Sequence, residues 1–184
     1  MNKTLILSLI AAVTVMTVTC RAQNVPQRSD YTFKTQLFTT TDDDGSAIAD
    51  SIITTVTDKT GKSFTLVSYT EPLDPEFWRG FGDIREDDFN FDGTPDLMIC
   101  LGPTNAFGGF TYDGYVWNNV AHKFVRVEKF DEILDPEFFP DKNQILGTFR
   151  IDNHYWFSLY EWQNGKLVLV EYREEKWPTG EEDE

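Results

Sequence analysis

The chain has 184 residues, with 31 acidic and 16 basic side chains and a formal net charge of −15. A surface this acidic argues against nucleic acid or an anionic membrane as a binding partner, because both repel negative charge. Hydrophobic residues make up 40% of the chain and aromatic residues 15%, which is enough to build one core. The composition therefore predicts an acidic globular protein whose charge either serves solubility alone, the interpretation that we favour, or attracts cations and a basic protein partner.

The first 22 residues have the pattern of a secretory signal peptide. Lys3 precedes an apolar run from Leu5 to Val18, which is short for a membrane span and is followed by small residues. Cleavage before Gln23 would release a soluble product, and we favour this interpretation. The alternative is a lipid anchor through Cys20, although the residues before it make a poor lipidation motif. Both alternatives place the protein outside the cytoplasm, in the periplasm or at the cell surface.

Alternating β-branched and aromatic residues predict an all-β domain over residues 23–174. The strand signals come in pairs joined by short polar turns, as in repeated antiparallel hairpins, and Asn164-Gly165 is a strong tight-turn signal. We expect about nine or ten strands in one small propeller-like or barrel-like domain. After a first strand at Tyr31–Phe38, the predicted hairpins pair Ser51–Asp58 with Ser63–Tyr69, Tyr115–Trp117 with Phe124–Val127, and Tyr155–Trp162 with Lys166–Tyr172.

One short phrase occurs twice in the chain. Leu73–Trp78 reads LDPEFW, and Leu134–Phe139 reads LDPEFF. Each copy follows a predicted hairpin at nearly the same distance, so the pattern predicts an internal duplication. Phe130 and Ile133 share a helical face just before the second copy, which predicts a short helix there.

The residues that point to a specific chemistry lie in the loop Asp88–Asp96, which reads DFNFDGTPD. Its side-chain oxygens alternate along the chain, as they do in calcium loops, and Gly93 at the sixth position suits a sharp turn. An EF-hand needs glutamate at the twelfth position, but Ile99 stands there within the apolar run 97–101. We therefore predict a calcium loop that opens a buried strand and does not join two helices.

The predicted role of this calcium ion is structural. Its predicted ligands are the side chains of Asp88, Asn90, Asp92 and Asp96 and the carbonyl group of Thr94, completed by Glu86 or water. The acidic run Asp42–Asp44 is not predicted to be a second site, because adjacent side chains in an extended chain point to opposite sides.

The segment DFNFDGTPDLMI resembles the calcium loops of FG-GAP and VCBS-type repeats, which occur in β-propeller proteins. The chain also resembles small secreted bacterial β proteins that carry one such loop followed by a hairpin rich in Tyr and Trp, here Tyr115 to Phe124. Some of those proteins resemble immunity or inhibitor proteins directed against peptidoglycan hydrolases. The resemblance implies calcium binding and a protein partner, such as a cationic cell-wall hydrolase.

The segment Gly102–Gly114 is glycine-rich and lacks clear periodicity. Its aromatic residues Phe107, Phe110 and Tyr112 are candidate partner-binding residues, because aromatic anchors on loops contribute strongly to interfaces. In the alternative interpretation, these side chains fold back and pack onto the body of the domain. The sequence does not decide between the two.

We find no catalytic motif, and the two histidines, His122 and His154, lack the spacing of a zinc site. We therefore expect a non-enzymatic binding module, with an undescribed hydrolase as a weaker alternative. A carbohydrate-binding or cell-surface accessory module that uses Trp78, Tyr112 and Trp117 is the other alternative.

Cys100 is the single cysteine that remains in the predicted mature chain, so an internal disulfide is ruled out there. We expect Cys100 to be a buried apolar residue. Residues 175–184 are expected to form a disordered acidic tail.

Overall fold

A computed structural model describes residues 30–41, 43, 45, 47–73, 80–103 and 109–176. The described residues form three antiparallel sheets, in which each strand pairs with its neighbour in sequence. The first sheet consists of β1 (Tyr31–Thr41), β2 (Ala47–Asp58) and β3 (Ser63–Leu73). The second consists of β4 (Ile84–Asp87), β5 (Asp96–Pro103), β6 (Phe110–Asn118) and β7 (Lys123–Arg126). The third consists of β8 (Glu137–Phe139), β9 (Gln144–Ile151), β10 (His154–Gln163) and β11 (Lys166–Lys176).

This architecture confirms the prediction of an all-β protein made of antiparallel hairpins. The three predicted hairpins are β2–β3, β6–β7 and β10–β11. None of the three sheets, as far as their residues are described, closes into a barrel. No helix in the same part of the chain is long and apolar enough to cross a membrane. β11 continues to Lys176, so the predicted tail boundary at residue 175 falls inside a strand.

The turns of two hairpins explain why these segments pair locally. The Asp58 carboxylate accepts backbone N–H groups from Thr60 and Lys62, at 2.8 and 3.0 Å, and so closes the β2–β3 turn. In the β10–β11 turn, Asn164 and Gly165 both have positive φ values, of 53° and 74°. Two central residues with positive φ give the turn the twist that antiparallel strands need.

The core has two parts, and β5 separates them. Leu97 and Ile99 belong to a cluster shared with the first sheet, whereas Met98 and Cys100 belong to a cluster shared with the third sheet. Because successive side chains of a strand point to opposite faces, one strand can supply both clusters. Cys100 is 3% exposed, which agrees with the prediction that it is a buried apolar residue.

The connection between β7 and β8 contains the predicted short helix, as a single 3₁₀ turn at Phe130–Glu132. The fully buried Phe130 ring lies against the backbone of Gly114 in β6. A Cβ atom at position 114 would come within 2.5 Å of that ring. Gly114 therefore lets the connection pack directly on the second sheet.

Most of the first copy of the repeated phrase, residues 74–78, lies outside the described residues. The second copy continues into β8 after a turn in which Asp135 has φ of 44°. The internal duplication stays a prediction.

Candidate metal centre

The predicted calcium loop connects β4 to β5 and lies at the edge of the core between the second and third sheets. Phe91 and Gly93 have positive φ values, of 61° and 84°. No heavy atom lies within 4 Å of the place that a Cβ atom would take at Gly93. The glycine is therefore needed for the backbone conformation of the turn and not for a close approach.

The acidic and amide side chains of the loop accept hydrogen bonds from the loop's own backbone. The two carboxylate oxygens of Asp88 accept N–H groups from Asp92 and Gly93, at 3.0 and 2.8 Å. Asn90 Oδ1 accepts the Asp92 N–H at 3.0 Å, and Asp92 Oδ1 accepts the Thr94 N–H at 2.8 Å. These bonds hold three side chains on the inner side of a tight turn.

Asp96 is the residue that ties the loop to the sheet. Its side chain has 0% exposure. Oδ2 accepts the Asn90 N–H at 3.3 Å, and Oδ1 accepts the Trp117 N–H of β6 at 3.1 Å. Burial, together with the nearby carboxylates of Asp92 and Asp88, raises the pKa of Asp96 to about 8, although the two N–H groups act to lower it.

The donor chemistry of the loop would suit a divalent cation. A buried carboxylate beside two others is costly to ionise, and a bound cation reverses that cost. The donors are hard oxygens, as calcium requires. The hydrogen bonds link the predicted side-chain ligands Asp88, Asn90, Asp92 and Asp96 into one loop. Thr94, whose carbonyl is the fifth predicted ligand, is 3% exposed.

The oxygens are not drawn together into a closed coordination sphere. Within the described ranges, no three His, Cys, Asp or Glu side chains form a group that could hold a metal ion. The oxygens of Asp88 and Asp92 are instead directed at backbone N–H groups, and Asn90 Nδ2 donates to Asp92 Oδ2 at 3.0 Å. Calcium binding therefore stays a prediction.

Phe89 anchors the loop in the core, a function that the sequence analysis missed. It is fully buried, and its ring centroid lies 4.4 Å from that of Phe130 and 6.4 Å from that of Trp162. Its carbonyl oxygen accepts a 2.8 Å hydrogen bond from Trp162 Nε1 in β10. The loop thus links the second sheet to the third. The sequence feature that could have indicated this role is an aromatic residue between two predicted ligands, Asp88 and Asn90.

The candidate partner-binding aromatics do not form one exposed group. Tyr112 is 9% exposed and belongs to the core cluster between the second and third sheets, and the half-buried Phe110 packs against that cluster. For these two residues the structure matches the alternative in which the aromatics pack onto the body. Phe107 lies outside the described residues. Trp117, a candidate for carbohydrate binding, is 7% exposed, and Trp78 also lies outside them.

A second polar group joins the first sheet to the second, and no sequence motif indicated it. Asp113 in β6 has 0% exposure, and its Oδ1 lies 2.6 Å from Arg126 Nε. Its Oδ2 accepts the Tyr115 hydroxyl at 2.9 Å, and that hydroxyl lies 3.0 Å from Ser68 Oγ in β3. Burial raises the pKa of Asp113, although Ser68, Tyr115 and Arg126 oppose the rise. The arrangement is that of a structural ion pair.

Comparisons with known proteins give one structural likeness. No family model matches the chain, and no curated protein matches it. A solved structure described as a Xanthomonas type IV secretion system related protein aligns with a TM-score of 0.54 and 21% sequence identity. The alignment covers 80% of this chain and 79% of that one. At this identity the likeness shows a shared fold.

Proposed function

We propose that the protein is an exported, calcium-binding β module that binds a protein partner and inhibits a cationic cell-wall hydrolase. The observation that supports calcium binding is the burial of the Asp96 carboxyl group beside two other carboxylates. An acidic cluster of this kind is stabilised by a cation that it can bind. The ion would be structural, because it would fasten the start of β5 to the loop.

The expected affinity is modest. Calcium modules outside the cell bind with dissociation constants of about 10⁻⁴ to 10⁻³ M. With calcium at about 100 times the dissociation constant, binding would raise the free energy of unfolding by about 2.7 kcal/mol. Domains of this size are stable by only about 5–15 kcal/mol, so this contribution would be easy to measure.

Calorimetric titration and thermal melting test the metal site. We expect calcium to bind and to raise the melting temperature, and we expect Asp92→Ala to abolish both effects. Asp43→Ala is the matched control, since it removes a carboxylate from the other acidic loop, where Asp43 is exposed. A folded wild-type protein that takes up no calcium at millimolar concentration would refute the metal site.

Three observations support export and a protein partner. The N-terminal sequence has the pattern of a signal peptide, and the structural neighbour is described as secretion system related. The net charge of −15 would steer a basic protein toward the chain. Separately, we propose a propeller-like arrangement of the three antiparallel sheets, as in the proteins whose calcium loops this chain resembles.

Inhibition of a cationic lysozyme in a cell-wall lysis assay tests the partner. We expect stoichiometric inhibition that weakens as salt is added, because salt screens attraction between charged surfaces. Pull-down from an envelope extract would then identify the natural partner. If a calcium-loaded sample neither inhibits nor binds any cationic hydrolase tested, the inhibitor function is wrong, whereas the calcium site would stand.

A further inference from the structure

One face of the third sheet contains a cavity that the proposed function does not use. Its volume is about 250 Å³. Its walls include four aromatic rings, a serine hydroxyl and a carboxylate, contributed by Phe149, Trp156, Tyr160, Tyr172, Ser158 and Glu132. We call it the aromatic cavity.

The strand pattern places these residues on the same face. Trp156, Ser158 and Tyr160 alternate along β10, so their side chains point to one side of the sheet. Phe149 is paired with Trp156 across β9 and β10, and Tyr172 is paired with Ser158 across β10 and β11. The cavity is therefore built on three hydrogen-bonded strands, which makes it a rigid site.

Gly147 lines the cavity and adds no side chain that would fill it. A Cβ atom at this position would lie 2.6 Å from Ser158 Oγ and 2.9 Å from Ile133 Cγ2. The Thr148 N–H also donates to the Leu134 carbonyl at 2.8 Å, which fixes the backbone of β9 against the segment before β8. That segment carries Glu132 to the cavity wall.

The aromatic rings are held in place by their neighbours. The ring centroid of Trp156 lies 5.4 Å from that of Phe149 and 5.8 Å from that of His154. His154 is fixed in turn by a 2.7 Å contact of Nδ1 with Glu174 Oε1. Tyr172 is 64% exposed, so the cavity has an aromatic residue at its open side. Tyr160, at 5% exposure, closes the inner side.

Aromatic walls with a carboxylate favour one class of ligand. The faces of Trp, Tyr and Phe attract cations, and desolvated cation–π contacts are among the stronger ones. Glu132 is the charged side chain among the described residues that line the cavity, and it adds a negative charge. Burial raises the pKa of the Tyr160 hydroxyl and the nearby charge of Glu132 raises it too, although the Ser158 hydroxyl acts to lower it. A neutral apolar ligand would gain nothing from Glu132.

We propose that the aromatic cavity binds a lysine or arginine side chain of the protein partner. The identity of the partner rests on the proposed function, whereas the selectivity for a cation rests on the cavity alone. The overall charge of −15 complements a basic partner. A side chain of this type would insert its methylene groups between the rings and place its charged end near Glu132.

Small blocked amino acids test the selectivity for a cation. The probes are Nα-acetyl-lysine methylamide, Nα-acetyl-arginine methylamide and the neutral Nα-acetyl-norleucine methylamide. Binding is followed by nuclear magnetic resonance of the ¹⁵N-labelled indole of Trp156, assigned with the Trp156→Leu variant. We expect the cationic probes to bind about tenfold more tightly than norleucine. Equal binding of all three probes, or no shift of Trp156, would overturn the proposal.

Two variants and a control variant test which residues give the cavity its selectivity for a cation. Glu132→Gln should weaken the lysine probe by about threefold to tenfold and leave norleucine unchanged. Glu128→Gln removes the same charge from a nearby position that does not line the cavity, and it should have little effect. Trp156→Leu retains an apolar side chain but removes the ring, so it should abolish the preference for the cation. Because this variant lacks the indole signal, its probe binding is followed through the backbone amide signals of Gly147 and Ser158, which also line the cavity. Circular dichroism and the melting temperature would show that each variant is folded.

The cell-wall lysis assay tests whether the aromatic cavity binds a side chain of the partner. If the cavity holds a partner side chain, Trp156→Leu should weaken inhibition at least tenfold while calcium binding is unchanged. Probe binding together with undiminished inhibition by Trp156→Leu would overturn the assignment to the partner. Probe binding in a protein that inhibits no hydrolase would refute the proposed function and leave the cation site standing.

Discussion

Phe89 offers the sharpest test of how the metal loop is joined to the rest of the molecule. Its side chain has 0% exposure and contacts the rings of Phe130, Phe138 and Trp162. Replacing a buried Phe by Ala costs about 3–5 kcal/mol. Because Phe89 is fully buried and is packed among three aromatic rings, we expect Phe89→Ala to lower the free energy of unfolding by about 4 kcal/mol.

Urea denaturation followed by far-ultraviolet circular dichroism would measure the loss. Phe89→Leu keeps most of the volume and should cost less than about 1.5 kcal/mol. Val120→Ala is the exposed control, at 93% exposure, and should change the stability by no more than about 0.5 kcal/mol. A loss below about 1 kcal/mol for Phe89→Ala would refute the view that the loop is anchored in the core. We also expect Phe89→Ala to weaken calcium binding, because the residue lies between two predicted ligands.

Three further predictions follow from buried groups. Arg126→Met should destabilise the fold by about 3 kcal/mol, since it leaves Asp113 buried without its cation, and adding Asp113→Asn should recover most of the loss in urea melts. Gly114→Ala should cost about 1–3 kcal/mol, because the new methyl group meets the Phe130 ring, and a truncated Phe130→Leu partner should reduce that cost. In calcium-free protein, Asp96 holds a proton in the folded state up to about pH 8, but only up to about pH 4 when unfolded. The free energy of unfolding should therefore fall as the pH rises from 4 to 8, and urea melts in saturating calcium should not show this fall.

Local signals in the sequence were enough to predict the hairpins. Period-two alternation and the Asn164-Gly165 turn depend on neighbours within a few residues, so β10 and β11 could be placed before the structure was known. The same holds for the interior of the loop Asp88–Asp96, where the hydrogen bonds between loop residues join positions at most six apart.

Contacts between distant residues could not be predicted in this way. The bond from Trp162 to the Phe89 carbonyl joins positions 73 apart, and the contact of Tyr115 with Ser68 joins positions 47 apart. Nothing in the local pattern shows which sheets pack together. The burial of Tyr112 has the same cause, because its core cluster includes Ile145, Tyr160 and Leu167 of the third sheet.

The contact between Gly114 and Phe130 has a consequence for how the chain can diverge. With the ring resting on the glycine backbone, any larger residue at position 114 must be accompanied by a smaller one at 130, or by a shift of the connection that carries it. Among descendants of a common ancestor, the two positions should therefore change as a pair. A homologue with an aromatic residue at position 130 and a bulky residue at position 114 would need a different backbone arrangement at this contact.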